Sequence, residues 1–397
     1  MAKKYRSKMS NLEIALDNVD AAFREGEQAG ITVEKETYRA STYEEYPKTV
    51  KTMIRELTAN VLGGDIDHKR ILPKYMNGKT WDHYFNVHLV GRYERGEITA
   101  DSIQKRVHAL EAFRTMIRET NVCGKDTEIR VGNKEERLEH LQELGVHKSK
   151  NEIKAIKPNN FEVRLYHEHF NTKTENGRIS KDITEFQREV GTRIKSNFKL
   201  QVKDFDFEKG LLHIRNDKNN HSRVVPLSNR AMQIAEKYCY GKANGAQVFT
   251  MKDRNGNDMK KEAAVKTVQR YSNDAAKKAG INREKRRYNT HSNRKYYAQN
   301  LYNNTRNMTE KELEKKIGEF IRLQGSNREG IVQRMKNELD RINAYRIKRG
   351  YGKAGFTKEH LRRLYVSLHL GHSRCDVVLR YIKPDRGLVG RGQRKAS

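Results

Sequence analysis

The sequence predicts an α-rich, multidomain protein, with a small helical domain followed by a larger domain of mixed α and β structure. Three observations predict this. The chain is 397 residues long, and at about 150 residues per domain that length favours two or three domains. Apolar residues recur at helical spacing between residues 12 and 117. Short strand-like runs separated by turn residues cluster between residues 205 and 227. There is no internal repeat and no low-complexity tract.

Residues 1–40 read as a basic tip and one helix. Leu12, Leu16, Val19 and Phe23 fall at offsets 0, 4, 7 and 11, on one helical face, and Gln28-Ala29-Gly30 suggests a stop. Residues 41–125 read as a helical domain. Thr42 is expected to cap a helix with Glu45 as its capping-box partner. Val50, Ile54, Leu57 and Val61 form the apolar stripe of that helix, and Gly63-Gly64 ends it. A second stripe runs through Ile103, Val107, Leu110, Phe113 and Ile117. Lys105, Arg106 and Arg114 lie off it, either as an ordinary solvated face or as contacts to phosphates. Residues 126–155 are strongly charged and read as a helical linker, and the composition changes at Pro158.

Residues 156–397 read as the larger domain. Its expected strands are Phe205–Phe207, Leu211–Arg215 and Arg223–Leu227, with Glu208-Lys209-Gly210 and Asn219-Asn220-His221 as turns. Residues 308–350 read as an inserted helical hairpin. Thr309 caps with Glu312, and Leu313, Ile317, Phe320 and Ile321 form the first stripe. Gly325-Ser326-Asn327 breaks the helix, and Val332, Met335, Leu339 and Ile342 form the second stripe.

Lysine and arginine number 81 against 51 aspartates and glutamates, a formal net charge of +30, and the pI is near 9.9. Such a surplus favours a nucleic-acid partner, because each cation set against a phosphate releases a condensed counterion. A membrane partner is disfavoured: no run approaches the roughly 18 apolar residues of a span, and Trp81 does not sit in a basic amphipathic helix. The basic start, Met1 to Arg6, has no apolar stretch after it, so no secretory signal is read. Cys123, Cys239 and Cys375 are widely spaced, with neither a disulfide framework nor zinc spacing. The expectation is a reduced, cytoplasmic protein, nucleoid-associated when on DNA. There is no P-loop, no GxGxxG after a strand, no HExxH and no GxSxG. No carboxylates form a pattern suited to a two-metal nuclease or transposase.

Four segments carry chemistry when read together. Arg193 stands in EVGTRIKSNFKLQVKDFDFEKG. Lys218 opens KNNHSRVVPL in the turn of a β-hairpin. His291 and Arg294 stand in THSNRKYYAQNLY. His372 begins the run that ends, nine residues on, at Tyr381 in LGHSRCDVVLRY. In type, order and local context these residues resemble the tyrosine recombinase (phage integrase) family over residues ~160–385. The resemblance implies a helical core-binding (SAM-like) domain and a mixed α+β catalytic domain with a small antiparallel sheet, clamping opposite faces of a duplex. It implies site-specific cutting and rejoining of double-stranded DNA through a 3′-phosphotyrosyl intermediate, with no metal, cofactor or ATP. It also implies a homo-tetramer on synapsed recombination sites, a monomer when free, and room for an accessory DNA-bending factor.

The chemistry of the set can be argued separately. Cleaving a phosphodiester without metal needs a nucleophile, charge stabilisation on the phosphorane and an acid for the leaving oxygen. Two arginines supply planar, bidentate, permanently charged contacts. His291 and Arg294, three residues apart, share one helix face. Lys218 at a hairpin tip can protonate the departing 5′-oxygen. His372 can bond the phosphate or help take the proton of Tyr381. Taken singly each residue has a structural reading, and Tyr296 and Tyr297 are expected to pack. A second His-x-x-Arg, His360 to Arg363, lacks the Tyr-Tyr-Ala that follows Arg294 and is set aside.

The sequence departs from the family pattern at four points. Ser196 stands where an acidic residue is common, Asn293 replaces a leucine, and Lys295 replaces a second histidine. The 77 residues between Arg294 and His372 far exceed the usual link. Two other readings stand beside this one: a non-catalytic DNA-binding regulator retaining the fold, which has no need of a tyrosine at 381, and a metal-dependent transposase or nuclease.

Overall fold

The computed structural model describes residues 10–33, 36–37, 40–62, 78–124, 133–147, 154–215, 217 and 222–385. The basic tip, Gly63-Gly64, Lys218, the turn at 219–221 and the last twelve residues lie outside the described residues. The chain divides into two compact units, Met1–Glu152 and Ile153–Ser397. No helix of the described residues is long and apolar enough to cross a membrane.

The first unit is helical. Helix α1 (Asn11–Gln28) starts where the Ser10 hydroxyl accepts the Glu13 N–H and the Glu13 carboxylate accepts the Ser10 N–H, two otherwise orphaned donors satisfied reciprocally. Val19 and Phe23 are buried, with Leu12 and Leu16 packed on the same core. A short antiparallel pair, β1 (Thr32–Val33) and β2 (Glu36–Thr37), leads to α2 (Ala40–Asn60). This helix begins two residues before Thr42, which lies in its first turn and not at its cap. Helix α3 (Gly78–His83) runs through a π-helical turn at Tyr84–Leu89 into α4 (Val90–Glu94) and buries Trp81. Every residue of the second predicted stripe is buried in α5 (Ala100–Thr120), which packs on α1 and α2. Within the charged stretch, α6 (Lys134–Glu143) packs on α5, burying Leu141, and the buried Arg137 pairs with Asp82 at 3.0 Å.

The second unit is mixed. Strand β3 (Lys154–Ala155) pairs in parallel with β7 (Arg286–Arg287). Between them come α7 (Asn160–Glu168), α8 (Glu175–Val190), the single-turn α9 (Ile194–Asn197), a three-stranded sheet, α10 (Asn229–Cys239) and α11 (Lys261–Lys278). The sheet is antiparallel in the order β4 (Phe205–Asp206), β5 (Leu211–Ile214), β6 (Arg223–Pro226). Gly210, at φ +62°, makes the β4–β5 turn in a conformation that costs other residues more. Then follow α12 (Thr290–Asn304), α13 (Glu310–Arg322), α14 (Arg328–Lys348) and α15 (Lys358–His369). One core joins Phe186 and Val190 of α8, Leu212 and Val225 of the sheet, Val268 of α11, and Leu313, Ile317 and Phe320 of α13. Each fully buried Leu or Phe stabilises the fold by about 1.5–3 kcal/mol.

The predicted hairpin therefore belongs to the main core through its first helix. The Thr309 hydroxyl accepts the Glu312 N–H, as the sequence suggests. Its second helix is turned differently from expectation. Val332 is 48% exposed, and the inward face runs through Ile331, Met335, Glu338 and Ile342. A 3₁₀ turn at Gly325–Asn327 sets this entry angle, and a carboxylate on the inner face disguises the stripe. Between the two helices the buried Gln324 bonds β6: its Oε1 accepts the Val224 N–H at 2.9 Å and its Nε2 donates to the Val224 carbonyl at 2.9 Å.

Replacing Gln324 by leucine strands both Val224 groups in a buried setting, at about 1–3 kcal/mol per group. The expected loss is about 2–4 kcal/mol, read by urea unfolding of the full chain, and an unchanged midpoint would refute it.

Candidate active site

Arg193 is delivered by a sharp break between α8 and α9. Gly191 closes α8 at φ +66°, and a β-carbon there would lie 2.4 Å from Cδ1 of Tyr297. Only glycine lets α8 and α12 approach this closely. The Gln187 side chain fixes the next residue by donating to the Thr192 carbonyl at 2.9 Å. Arg193 then donates through Nη1 to Asp217 Oδ2 at 2.5 Å, and Ser196 donates to the other carboxylate oxygen at 2.8 Å. This contact accounts for Ser196: an acidic residue there would face Asp217.

Arg223 of β6 completes this group. Its Nη1 donates to Asp217 at 2.6 Å and its Nε to the His369 carbonyl at 3.0 Å. Burial alone would raise the Asp217 pKa, but the charges of Arg223 and Arg193, with hydrogen bonds from Arg223 and Ser196, hold it well below the usual carboxylate range. Neither Asp217 nor Arg223 was picked out from sequence. The available signal was a charged residue beside the valines of a strand, inside the same segment that Lys218 opens.

His291 and Arg294 sit in the first turn of α12, which Asn289 caps by accepting the His291 N–H. Arg294 is fully buried. Its guanidinium donates to the carbonyls of Gly191 and Leu370, and among the described residues it has no carboxylate at ion-pair distance. Burial, then repulsion from Arg193 and Arg223, pulls its pKa down to about 9, so it stays charged at neutral pH. Crowding by protein, then the charges of Arg294, Lys295 and Arg193, lower His291 to about 4. Because His291 is itself exposed, solvent relieves part of the first effect and leaves the cations as the durable one. The departures beside it are structural: Asn293 accepts the buried Tyr288 hydroxyl at 2.7 Å, and Lys295 donates to the Ala155 carbonyl at 2.6 Å.

His372 follows Gly371, whose φ of +71° carries the chain over Arg223. Its backbone N–H bonds the Ser367 carbonyl at 2.8 Å. Nε2 lies 3.4 Å from Arg193 Nη2, 3.5 Å from Arg294 Nη2 and 3.4 Å from the Tyr381 hydroxyl. Arginine only donates, so Nε2 is the acceptor and can accept the phenolic proton as well. Tyr381 follows a 3₁₀ turn at Val377–Arg380. The Arg294 guanidinium carbon stands 5.6 Å from its ring centroid, and the His291 ring is 5.2 Å away. Lys157 donates to the carbonyls of Leu379 and Ile382, and Gln299 accepts the Lys383 N–H at 2.6 Å. The segment bearing the tyrosine is thus held from both sides.

The structure brings Arg193, His291, Arg294, His372 and Tyr381 together; Lys218 lies outside the described residues. Tyr297 packs as expected, its hydroxyl 2.9 Å from His369 Nδ1. The second His-x-x-Arg is a separate structural feature: Arg363 donates through Nε to Glu359 at 2.7 Å, and His360 Nδ1 lies 3.1 Å from the Thr357 hydroxyl. In the first unit, Arg106 is largely enclosed. Its side chain is 12% exposed and turned onto Glu56, which also accepts from Arg92 and the Tyr84 hydroxyl, because its position beside the stripe faces α2 and not solvent. Arg114 pairs with Glu111 on its own helix at 2.8 Å, and Lys105 forms an exposed pair with Glu45 at 3.3 Å.

Residues 159–310 match the phage integrase family. The match spans Arg193, His291 and Arg294, and stops as the hairpin begins. Tyrosine recombinase XerA of Pyrococcus horikoshii is 32% identical over 94 residues, covering 23% of this chain and 32% of that protein. XerA of Pyrococcus furiosus is 28% identical over 92 residues, with the same coverage of 23% and 32%. The chain thus spans about a third of the length of these curated relatives. A lambda integrase tetramer bound to a Holliday junction is 16% identical, with 74% of each chain covered and a TM-score of 0.47. The Tn1549 transposon integrase in complex with transposon right end DNA is 12% identical, with 92% of this chain and 95% of that chain covered and a TM-score of 0.48.

Asp217→Asn leaves the buried Arg223 without its countercharge, and a loss of about 3–5 kcal/mol is expected at neutral pH. The Asp217 pKa is depressed in the fold, so its contribution is full above the unfolded value of about 4 and drains away as pH falls below it. Urea unfolding of wild type and variant should give a constant difference from about pH 7 to 5 that shrinks under about pH 4. A difference that widens on acidification would contradict this.

Proposed function

We propose that this protein is a site-specific DNA recombinase that cuts and rejoins double-stranded DNA through a 3′-phosphotyrosyl intermediate, without metal or ATP. The single observation that carries the reading is His372 Nε2 standing within 3.5 Å of Arg193, Arg294 and the Tyr381 hydroxyl together. A phosphate entering this group would meet two guanidinium groups and find a nucleophile and a proton acceptor already in contact.

The step balances as follows. The Tyr381 hydroxyl oxygen attacks phosphorus, and its proton passes to His372 Nε2. Arg193 and Arg294 neutralise charge gathering on the non-bridging oxygens, and His291 bonds the same phosphate. The P–O5′ bond breaks, and Lys218 gives its proton to the departing oxygen. The phosphotyrosyl ester retains the bond energy, so a 5′-hydroxyl from another strand can reverse the sequence and release Tyr381. The partners are recombination sites in duplex DNA and further copies of this chain, as a tetramer on synapsed sites. A neighbouring fact about a relative supports this assembly: the lambda integrase structure is a tetramer on a Holliday junction.

Tyr381→Phe should bind a nicked duplex from the protein's own genomic flanks like wild type and form no covalent protein–DNA adduct on a denaturing gel. Adduct formation by that variant would remove Tyr381 from its role. Arg193→Ala and Arg294→Ala should each slow adduct formation by about 10²–10³-fold. Wild-type adducts should form equally in EDTA; their loss on chelation would favour a metal-dependent nuclease.

A further inference from the structure

The second helix of the hairpin reaches the active site. A cavity of about 310 Å³ lies between α14 and the loop that carries His372. Arg334, Glu338 and Arg341 line it from the helix, and His372, Ser373 and Arg374 from the loop. Most of the charge here is matched. Glu338 is buried and receives the Cys375 N–H at 2.7 Å and both Nε and Nη2 of Arg341 at 2.8 Å. Arg374 pairs with Asp376 at 2.6 Å.

Arg334 is the exception. Its Nε donates to Ser373 Oγ at 3.0 Å, and among the described residues it has no carboxylate at ion-pair distance. It is half-buried, and burial, with no anion opposing it, lowers its pKa. Holding a half-buried cation without a counterion is costly. Glu338 lines the same cavity, but its carboxylate is committed to Arg341 and the loop backbone. The cavity is open, cationic and shared with His372.

We infer that Arg334 is a phosphate-binding residue, supplied by the hairpin, that contacts the backbone of the DNA strand held in the active site. This rests on the recombinase reading for the identity of the strand. The hairpin then adds a cation to the substrate surface as well as packing the core. The ligand is a phosphodiester oxygen, which satisfies the open Nη groups of a guanidinium in planar geometry.

The test measures affinity of the full chain for a random-sequence 30-bp duplex, at salt from roughly 50 to 300 mM. Arg334→Gln should lower the slope of log affinity against log salt by about one. Arg334→Lys should restore it. Ser373→Ala removes the same hydrogen bond and keeps the charge, so its slope should equal wild type. Free Arg334→Gln should melt at or above the wild-type temperature, because no ion pair is lost. A wild-type slope for Arg334→Gln, or an equal fall for Ser373→Ala, would overturn the inference. So would inorganic phosphate that raises the melting temperature of wild type and not of Arg334→Gln while their DNA slopes agree. Failure of the recombinase reading appears separately, as absence of wild-type adducts, and leaves the salt slope readable.

Discussion

Three guanidinium groups gathered around one buried carboxylate form the constraint on which the rest of this structure depends. Arg193 and Arg223 share Asp217, and Arg294 is left with carbonyl oxygens. Like charges about 4 Å apart repel by roughly 4 kcal/mol at an effective dielectric of 20. The fold bears this with close packing around each arginine. Tyr297 lies against Gly191 under one, and the chain at Gly371 crosses over another. The site is therefore positive before anything binds, and its donors need no reorganisation when an anion arrives.

The hairpin of α13 and α14 is bound into that arrangement at three depths. Leu313, Ile317 and Phe320 share the core with α8, which ends at the residue before Gly191. Gln324 bonds the strand that carries Arg223. Glu338 and Arg334 bond the residues on either side of Arg374, just beyond His372. A segment that lengthens the chain between two site residues thus holds the loop carrying the second of them.

The helices were legible wherever an apolar stripe met a capping signal. The clearest case is α13 behind Thr309, while α1 and α5 are marked by their apolar stripes alone. The three strands were legible from their turns. Thr42 misled because its side chain suits a cap and the helix had already begun at Ala40. The α14 face misled because Glu338 is buried against the Cys375 N–H, 37 residues on, and against Arg341 of its own helix, and spacing alone carries no such partner. The candidate site residues stand out as motifs in order, and the fold brings five of them together. Asp217 and Arg223 do not stand out, because they act on other protein groups, and tertiary partners of that kind leave no local period. Arg106, a charge beside an apolar stripe, reads as solvent-facing, and in the fold it pairs with Glu56 on a neighbouring helix.

The amide of Gln324 has a further consequence for the sheet. Strand β6 pairs on one side with β5, and its other side presents the N–H and carbonyl of Val224, which the glutamine occupies as a short mimic of a fourth strand. An uncovered rim of this kind recruits strands from neighbouring molecules and seeds aggregation. In this chain the contact point is already filled from within the same molecule.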